Sequence, residues 1–276
     1  MEKNYLGFVK NILWSEISVY LFDLDGCVYM DNEPTQGAVE LVNYLHNKKK
    51  TIFFITNNST DSLEKLSERL HEISLPIKPS EIISSASIAG EYIMENFGKS
   101  RIFLLGMEAL KNYLIQSGHS IVNHDDDNCE IVLVGRDLQF NYKKLQKGII
   151  YLENGARLVA TNLDNFHPGK NGRKNIETGA LVAAIQKVIN AKPCVIGKPG
   201  PYIFKTVLTR LGINPDKAVM VGDNPYTDIV GGKNAGVQTV LIKSSVNQGI
   251  NNILPDFYCK NLIDFLTILK TKKRGG

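Results

Sequence analysis

Residues 19–29, Val-Tyr-Leu-Phe-Asp-Leu-Asp-Gly-Cys-Val-Tyr, constrain the chain more than any other stretch. Val19 to Phe22 are consecutive apolar, β-favouring residues, the pattern of a strand covered on both faces as in a parallel sheet between helices. The run stops at Asp23, a second carboxylate follows at Asp25, and Gly26 supplies a turn. Side chains alternate along a strand, so Asp23 and Asp25 start on one side of it. Two carboxylates at that spacing repel unless a cation, a lysine or a shared proton compensates them. Asp-Gly is also ordinary turn chemistry, so the motif by itself leaves an exposed corner and a functional site both open.

The same grammar recurs downstream. Residues 37–48 place Ala38, Leu41, Val42 and Leu45 at helical spacing and end in lysines, which suit a helix C-terminus. Residues 51–55 are then a second apolar strand that ends in Thr56, Asn57, Asn58 and Ser59. Strand, helix, strand implies a right-handed parallel unit, and such sheets gather ligands at the carboxyl ends of their strands. A helix is expected over 62–72, a connector over 74–81 and a further helix over 84–96. Ahead of the first strand, Leu6, Val9, Ile12, Leu13 and Ile17 predict a short leading helix. Two later apolar runs end in the same way, at Gly197-Lys198-Pro199 and at Gly222-Asp223-Asn224-Pro225-Tyr226-Thr227-Asp228. One parallel sheet would gather Asp23 and Asp25, Thr56 and Asn57, Lys198, and Asp223 and Asp228 around a single pocket.

Between residues 86 and 192 the rhythm restarts, with strands expected at 101–105, 131–134 and 157–161 and helices at 108–116, 142–153 and 179–189. About a hundred residues suffice for a small domain of their own. The expected organisation is α/β: a Rossmann-like doubly wound parallel-sheet core from 1–85 and 193–276, interrupted by a smaller inserted α/β domain at 86–192.

Composition narrows the partners. No stretch approaches the roughly 18 apolar residues of a membrane span, and the start lacks the basic, then apolar, pattern of a secretory signal. The net charge of +4 is spread along the chain apart from the tail from Lys270 to Arg274, and aromatic and basic residues do not interleave as they do on nucleic-acid platforms. Cys27, Cys129, Cys194 and Cys259 are scattered without a Cys-x-x-Cys pair, which suits free thiols in a reducing cytoplasm. The run His124-Asp125-Asp126-Asp127 reads as a solvated loop. No membrane and no nucleic acid is expected as a partner.

The gathered residues suit phosphoryl transfer. Asp23, Asp223 and the backbone carbonyl of Asp25 are hard oxygen ligands for Mg²⁺, which retains waters and accepts phosphate oxygens. The Thr56 hydroxyl and neighbouring backbone N–H groups can hold phosphate oxygens, and Lys198 adds a point charge.

On these residues the chain resembles the haloacid dehalogenase superfamily of phosphohydrolases. Asp23-Leu24-Asp25-Gly26 looks like its first motif, Thr56-Asn57-Asn58 its second, Lys198 its third, and Gly222-Asp223 with Asp228 its fourth. The fuller wording around Thr56, Lys198 and Asp223 resembles the NagD-like subfamily IIA, which includes 4-nitrophenylphosphatase-like, sugar-phosphate, phosphoglycolate and pyridoxal phosphate phosphatases. Within the insert, Val134-Gly135-Arg136-Asp137, Ala160-Thr161-Asn162-Leu163-Asp164 and Gly179-Ala180-Leu181-Val182 resemble landmarks of that subfamily's cap. Asp31, Gln36 and Glu177-Thr178 depart from the usual pattern and bear on substrate identity.

The resemblance implies a Mg²⁺-dependent phosphatase of a small phosphate monoester, working through an aspartyl phosphate on Asp23 with Asp25 as general acid and base and Lys198 as the catalytic cation. It further implies Thr56, Asn57, Asn58 and Lys198 as phosphate-binding residues, and Asp23, Asp25, Asp223 and Asp228 as the metal set, the last directly or through water. The cap loop 162–168, with Asn162 and Asp164, would read the leaving group. Caps of this type often join two copies into a homodimer. A different class of function, a receiver-like module phosphorylated on Asp without turnover, shares an acidic pocket, a Thr and a Lys at strand ends; Asp25 and the long insert argue against it. The physiological substrate depends on cap geometry that no motif encodes.

Overall fold

Phe22 and Phe54 face each other across neighbouring strands, their rings stacked with centroids 5.8 Å apart, and both are buried. Each such burial is worth about 2 kcal/mol, which is why an uninterrupted apolar run becomes the centre of a sheet and not its edge. The computed structural model describes residues 12–123, 126, 128–168, 173–243 and 253–271. It divides into two compact units: one of residues 1–56, 66–83 and 199–276, the other of residues 57–65 and 84–198. The stretch 86–192 lies wholly in the second unit, which also takes in 57–65, 84–85 and 193–198.

In the first unit, the described strands form a sheet in the order Phe257–Cys259, Gln238–Ile242, Ala218–Gly222, Val19–Phe22, Thr51–Thr56 and Ile82–Ser84. Val19–Phe22 runs parallel to both neighbours, pairing Phe22 with Val221 on one side and with Phe54 on the other. From this strand the chain steps outward in one direction to Thr51–Thr56 and later in the opposite direction to Ala218–Gly222. The strand order therefore reverses beside Asp23, where open parallel sheets form their ligand crevice.

The second unit has its own sheet, in the order Cys194–Val195, Arg157–Ala160, Ile131–Val134, Arg101–Leu105 and Ser120–Ile121, parallel throughout. The helices Tyr142–Glu153 and Thr178–Gln186 cover it, burying Tyr151, Val182 and Ile185 against Phe103, Val132 and Val134. Asn141 caps the first of these helices by accepting the Lys144 N–H at 3.0 Å. An antiparallel pair, Phe166–Pro168 with Lys174–Ile176, follows the strand Arg157–Ala160.

Three local readings of the sequence are corrected. The described part of the expected leading helix is a turn at residues 14–16, although Ile12, Trp14 and Ile17 are buried as expected, Trp14 lying edge-on to Phe257 and Phe265. Leu6 and Val9 lie outside the described residues, as do His124, Asp125, Asp127 and the end of the basic tail. The helix expected at 84–96 begins only at Ala89. Before it, Ser84 and Ser87 each accept the other's backbone N–H through the side-chain hydroxyl, both at 3.1 Å, holding a turn that competes with helix. Finally, Cys194–Val195 pairs with Arg157–Ala160 in the second sheet, so Lys198 does not follow a strand of the sheet that carries Asp23. A strand of two residues has too little pattern to announce which sheet it joins.

Candidate active site

Asp23 ends the central strand of the first unit, its N–H bonded to Val221 O at 2.9 Å, which sets it level with Gly222 at the end of the adjacent strand. Asp223 follows that strand directly, and the chain then makes a wide π-type turn from Pro225 to Ile229. Such turns occur often at functional sites because they re-aim side chains. Here the turn folds Asp228 back under the strand end, where its carboxylate accepts the Asn224 N–H at 2.9 Å and the Thr227 hydroxyl at 3.4 Å.

Asp23, Asp223 and Asp228 each bring one carboxylate oxygen to within 4.8 Å of the others, and all three are buried. Two glycines make the approach possible. Gly26, at φ +88°, would place a Cβ 2.7 Å from Asp223 Oδ2, and a Cβ on Gly222 would fall onto the Asp228 carboxylate. Three acidic groups withdrawn from water at this spacing are mutually repulsive, and a hard cation is the natural compensation for an all-oxygen set. The cluster therefore fits a divalent metal held by Asp23, Asp223 and Asp228.

Asp25 is separate from this cluster in environment. It is exposed, and its two carboxylate oxygens are engaged from within: Oδ1 accepts the Tyr29 hydroxyl and Oδ2 the Thr56 hydroxyl at 3.4 Å. Tyr29 is buried, its hydroxyl accepting from Arg69 Nη2 at 3.0 Å. Burial first, and then the charge of Asp25, raise the Tyr29 phenol well above its ordinary range, so it remains a donor. The tight loop that makes this possible closes through Gly26 N–H to Tyr29 O at 2.8 Å.

In the second unit the sequence-predicted residues form another connected set. The Asn57 side chain pairs with the backbone of Lys198, accepting its N–H at 2.9 Å and donating to its C=O at 3.0 Å, and also donates to Asp164 at 2.8 Å. The Asn57 carbonyl accepts from Asn162 Nδ2 at 2.9 Å, and Asn162 Oδ1 in turn holds the Asp164 N–H at 3.0 Å. A Cβ on Gly197 would collide with Asn57 Oδ1. Lys198 is 2% exposed, an uncommon degree of burial for lysine. Asn58 Oδ1 accepts the N–H groups of Thr60 and Asp61 at 3.0 and 2.9 Å, so its side chain builds the turn. Ser59 accepts the Arg136 N–H at 2.9 Å.

Two residues of the Asp25 environment, Tyr29 and Arg69, have no counterpart in the sequence reading. Tyr29 sits in apolar company and Arg69 on a charged helix, and only the fold brings them together across 40 positions. In the second unit Glu177, one of the departures from the usual cap pattern, binds His167 Nδ1 at 2.6 Å and lies 3.5 Å from Arg136, a grouping that the sequence does not announce. Burial raises the Glu177 carboxyl, opposed by the charges of Arg136 and His167. Arg136 and Glu177 border an open cleft of about 500 Å³ that Phe140 and Leu181 also line.

Comparison with known proteins decides the family. Residues 20–120 match the haloacid dehalogenase-like hydrolases and residues 195–265 a related hydrolase-like family. An acid sugar phosphatase of Staphylococcus aureus (strain USA300) is 32% identical over 259 residues, covering 92% of this chain and 99% of the relative. The chain belongs to the haloacid dehalogenase-like hydrolases. A second acid sugar phosphatase, from Staphylococcus epidermidis (strain ATCC 12228 / FDA PCI 1200), is 33% identical over 83% of this chain and 87% of its own. Among solved structures, a 4-nitrophenylphosphatase from Thermotoga maritima superposes with a TM-score of 0.85 at 30% identity, covering 92% of this chain and 98% of that one. A structure described as a putative nagD protein gives a TM-score of 0.83 at 29% identity with the same coverage. The chain is thus an enzyme of the NagD-like phosphatase branch, with that branch's core-and-cap α/β architecture. This sets aside the receiver-like alternative, a switch without turnover. Phosphatases of this family generally use a divalent metal. No helix among the described residues is long and apolar enough to cross a membrane.

Proposed function

We propose that this enzyme hydrolyses a small phosphate monoester by way of an aspartyl phosphate on Asp23, with Mg²⁺ as its metal. The observation that carries the reading is the contrast between the carboxylates of one strand end: Asp23 is buried with Asp223 and Asp228, whereas Asp25 is exposed and held by hydroxyls. Nucleophile and acid need different protonation states, and different surroundings are how two carboxyls acquire them. When bound, Mg²⁺ supplies positive charge for the phosphate oxygens and favours the ionised form of Asp23.

In the first half-reaction the Asp23 carboxylate oxygen bonds to phosphorus while the bond from phosphorus to the leaving oxygen breaks, and the Asp25 carboxyl proton passes to that oxygen. In the second, water attacks phosphorus, its proton passes to the Asp25 carboxylate, and the bond from phosphorus to Asp23 breaks. The Thr56 hydroxyl, the backbone N–H groups of Asn57 and Asn58, and the Lys198 ammonium are the proposed partners of the phosphate oxygens. The Asp25 backbone carbonyl completes the proposed metal set. The names of the relatives point to sugar phosphates as the first substrates to try, with 4-nitrophenyl phosphate as the reporter. The free thiols of Cys27, Cys129, Cys194 and Cys259 support a cytoplasmic location.

The test is turnover of 4-nitrophenyl phosphate by the purified protein. Hydrolysis with Mg²⁺ and its loss with EDTA and in Asp23→Asn are expected; full activity in Asp23→Asn contradicts the assignment of the nucleophile.

A further inference from the structure

Arginine can only donate hydrogen bonds, which fixes the direction of every bond in the chain from Arg69 through Tyr29 to Asp25. Arg69 Nη2 lies 3.0 Å from the Tyr29 hydroxyl oxygen, and the Arg69 guanidinium lies 5.6 Å from the Tyr29 ring centroid. The hydroxyl oxygen therefore accepts from Arg69, and its own proton is committed to Asp25 Oδ1. Asp25 Oδ1 is thereby occupied as an acceptor, and Oδ2, which among the described residues meets only the Thr56 hydroxyl at the outer limit of hydrogen bonding at 3.4 Å, is the oxygen left to carry a proton. The phenol cannot swing away, because Tyr29 is 7% exposed and its backbone is tied at both ends of the loop, N–H to Leu24 O at 3.2 Å and C=O to Gly26 N–H at 2.8 Å.

We infer that Tyr29, oriented by Arg69, is a positioning residue for Asp25: it anchors Oδ1 so that Oδ2 alone exchanges protons with the leaving oxygen and with water. The inference rests on the acid–base role proposed above for Asp25 and concerns the aim of the carboxyl group, not its affinity for protons. The step itself is unchanged: the Oδ2 proton goes to the leaving oxygen as its bond to phosphorus breaks, and returns from the attacking water. A carboxyl group held in one rotamer gives the near-linear proton path that general acid catalysis requires, and loss of that geometry costs rate without removing any reacting atom.

Two substrates of nearly the same shape isolate the effect. The 4-nitrophenolate leaving group departs without a proton, while phenolate depends on one. Their kcat/KM values share binding and nucleophilic attack, so the ratio between them reads the acid. For Tyr29→Phe, kcat/KM on phenyl phosphate is expected to fall about tenfold or more relative to 4-nitrophenyl phosphate, the lower part of the range for general acids. Arg69→Met is expected to shift the same ratio in the same direction by less, with Arg69→Lys restoring it. If Tyr29→Phe does not fold, Arg69→Met decides alone. Equal losses on both substrates, or no change in the ratio, overturn the positioning role. Asp25→Asn, measured alongside, is expected to shift the ratio further than Tyr29→Phe. An unchanged ratio in Asp25→Asn overturns the acid–base role itself, and an inactive wild-type enzyme overturns the phosphatase reading.

Discussion

The side-chain amide of Asn57 pairs with the backbone of Lys198 as one strand pairs with another, Oδ1 accepting the N–H at 2.9 Å and Nδ2 donating to the C=O at 3.0 Å. A third bond, from Nδ2 to Asp164 at 2.8 Å, fixes the plane of the amide. Lys198 is a long, flexible side chain, and the pairing gives its backbone a defined origin. At about 1 kcal/mol for each bond, Asn57→Ala is expected to cost roughly 2–3 kcal/mol in urea unfolding. Turnover is expected to fall more than tenfold as Lys198 loses its anchor. Asn57→Asp should be worse than Asn57→Ala, because it sets a carboxylate against Asp164 and against the Lys198 carbonyl. Equal stability of wild type and Asn57→Ala would contradict this role.

Gly222 touches the Asp23, Asp223 and Asp228 carboxylate cluster through what it lacks. Any Cβ there falls onto the Asp228 carboxylate, and the turn from Pro225 to Ile229 leaves little room for retreat because Pro225, Thr227, Asp228 and Ile229 are buried. Gly222→Ala is expected to lower stability by about 1–3 kcal/mol, the usual range for overpacking. Thermal melts with and without Mg²⁺ separate this from an effect on the site: a ligand that binds only the folded state raises Tm, and the rise is expected in wild type and to shrink in Gly222→Ala. The same rise in both would show that the cluster does not depend on Gly222.

Asp23 and Asp223 were legible in the sequence because charge interrupts apolar runs that only a buried strand explains, and the structure sets both at neighbouring strand ends. Asp228 was legible as a charge in the loop that closes the Asp223 strand, and its place in the metal set came only with the resemblance; its inward turn depends on the π-type geometry from Pro225 to Ile229, which no local pattern encodes. Lys198 was found, but its sheet was not, since the choice made by Cys194–Val195 rests on pairing with residues more than thirty positions away. Tyr29 and Arg69 were invisible for a different reason. A tyrosine after Cys27 and Val28 reads as packing and an arginine on a charged helix reads as solvated, until the fold places one against the other.

Alkaline pH should weaken the fold through two buried groups. Burial, with Asp264 nearby, pushes the Cys259 thiol up to about 12 from an ordinary value of 9.0, and burial with Tyr44 nearby pushes Tyr20 up to about 12 from 10.0. The folded state holds these protons after the unfolded chain has released them. Their contribution to stability is therefore complete below pH 9 and is lost as pH rises toward 12. The slope reaches about 1.4 kcal/mol per pH unit for each group. Urea unfolding at pH 8 and pH 10 is expected to show the loss, and Cys259→Ala to reduce the difference between the two. A pH-independent midpoint would contradict it.

The central claim is that Asp23 carries the phosphoryl group during turnover. Acid quenching of Asp25→Asn after mixing with ³²P-labelled 4-nitrophenyl phosphate tests it most directly, because this leaving group needs no acid while breakdown of the intermediate still needs the base. The expected result is a hydroxylamine-sensitive label on the peptide that contains Asp23, absent when Asp23→Asn is added. Label on another residue, or burst release of nitrophenolate with no labelled protein, would contradict the account.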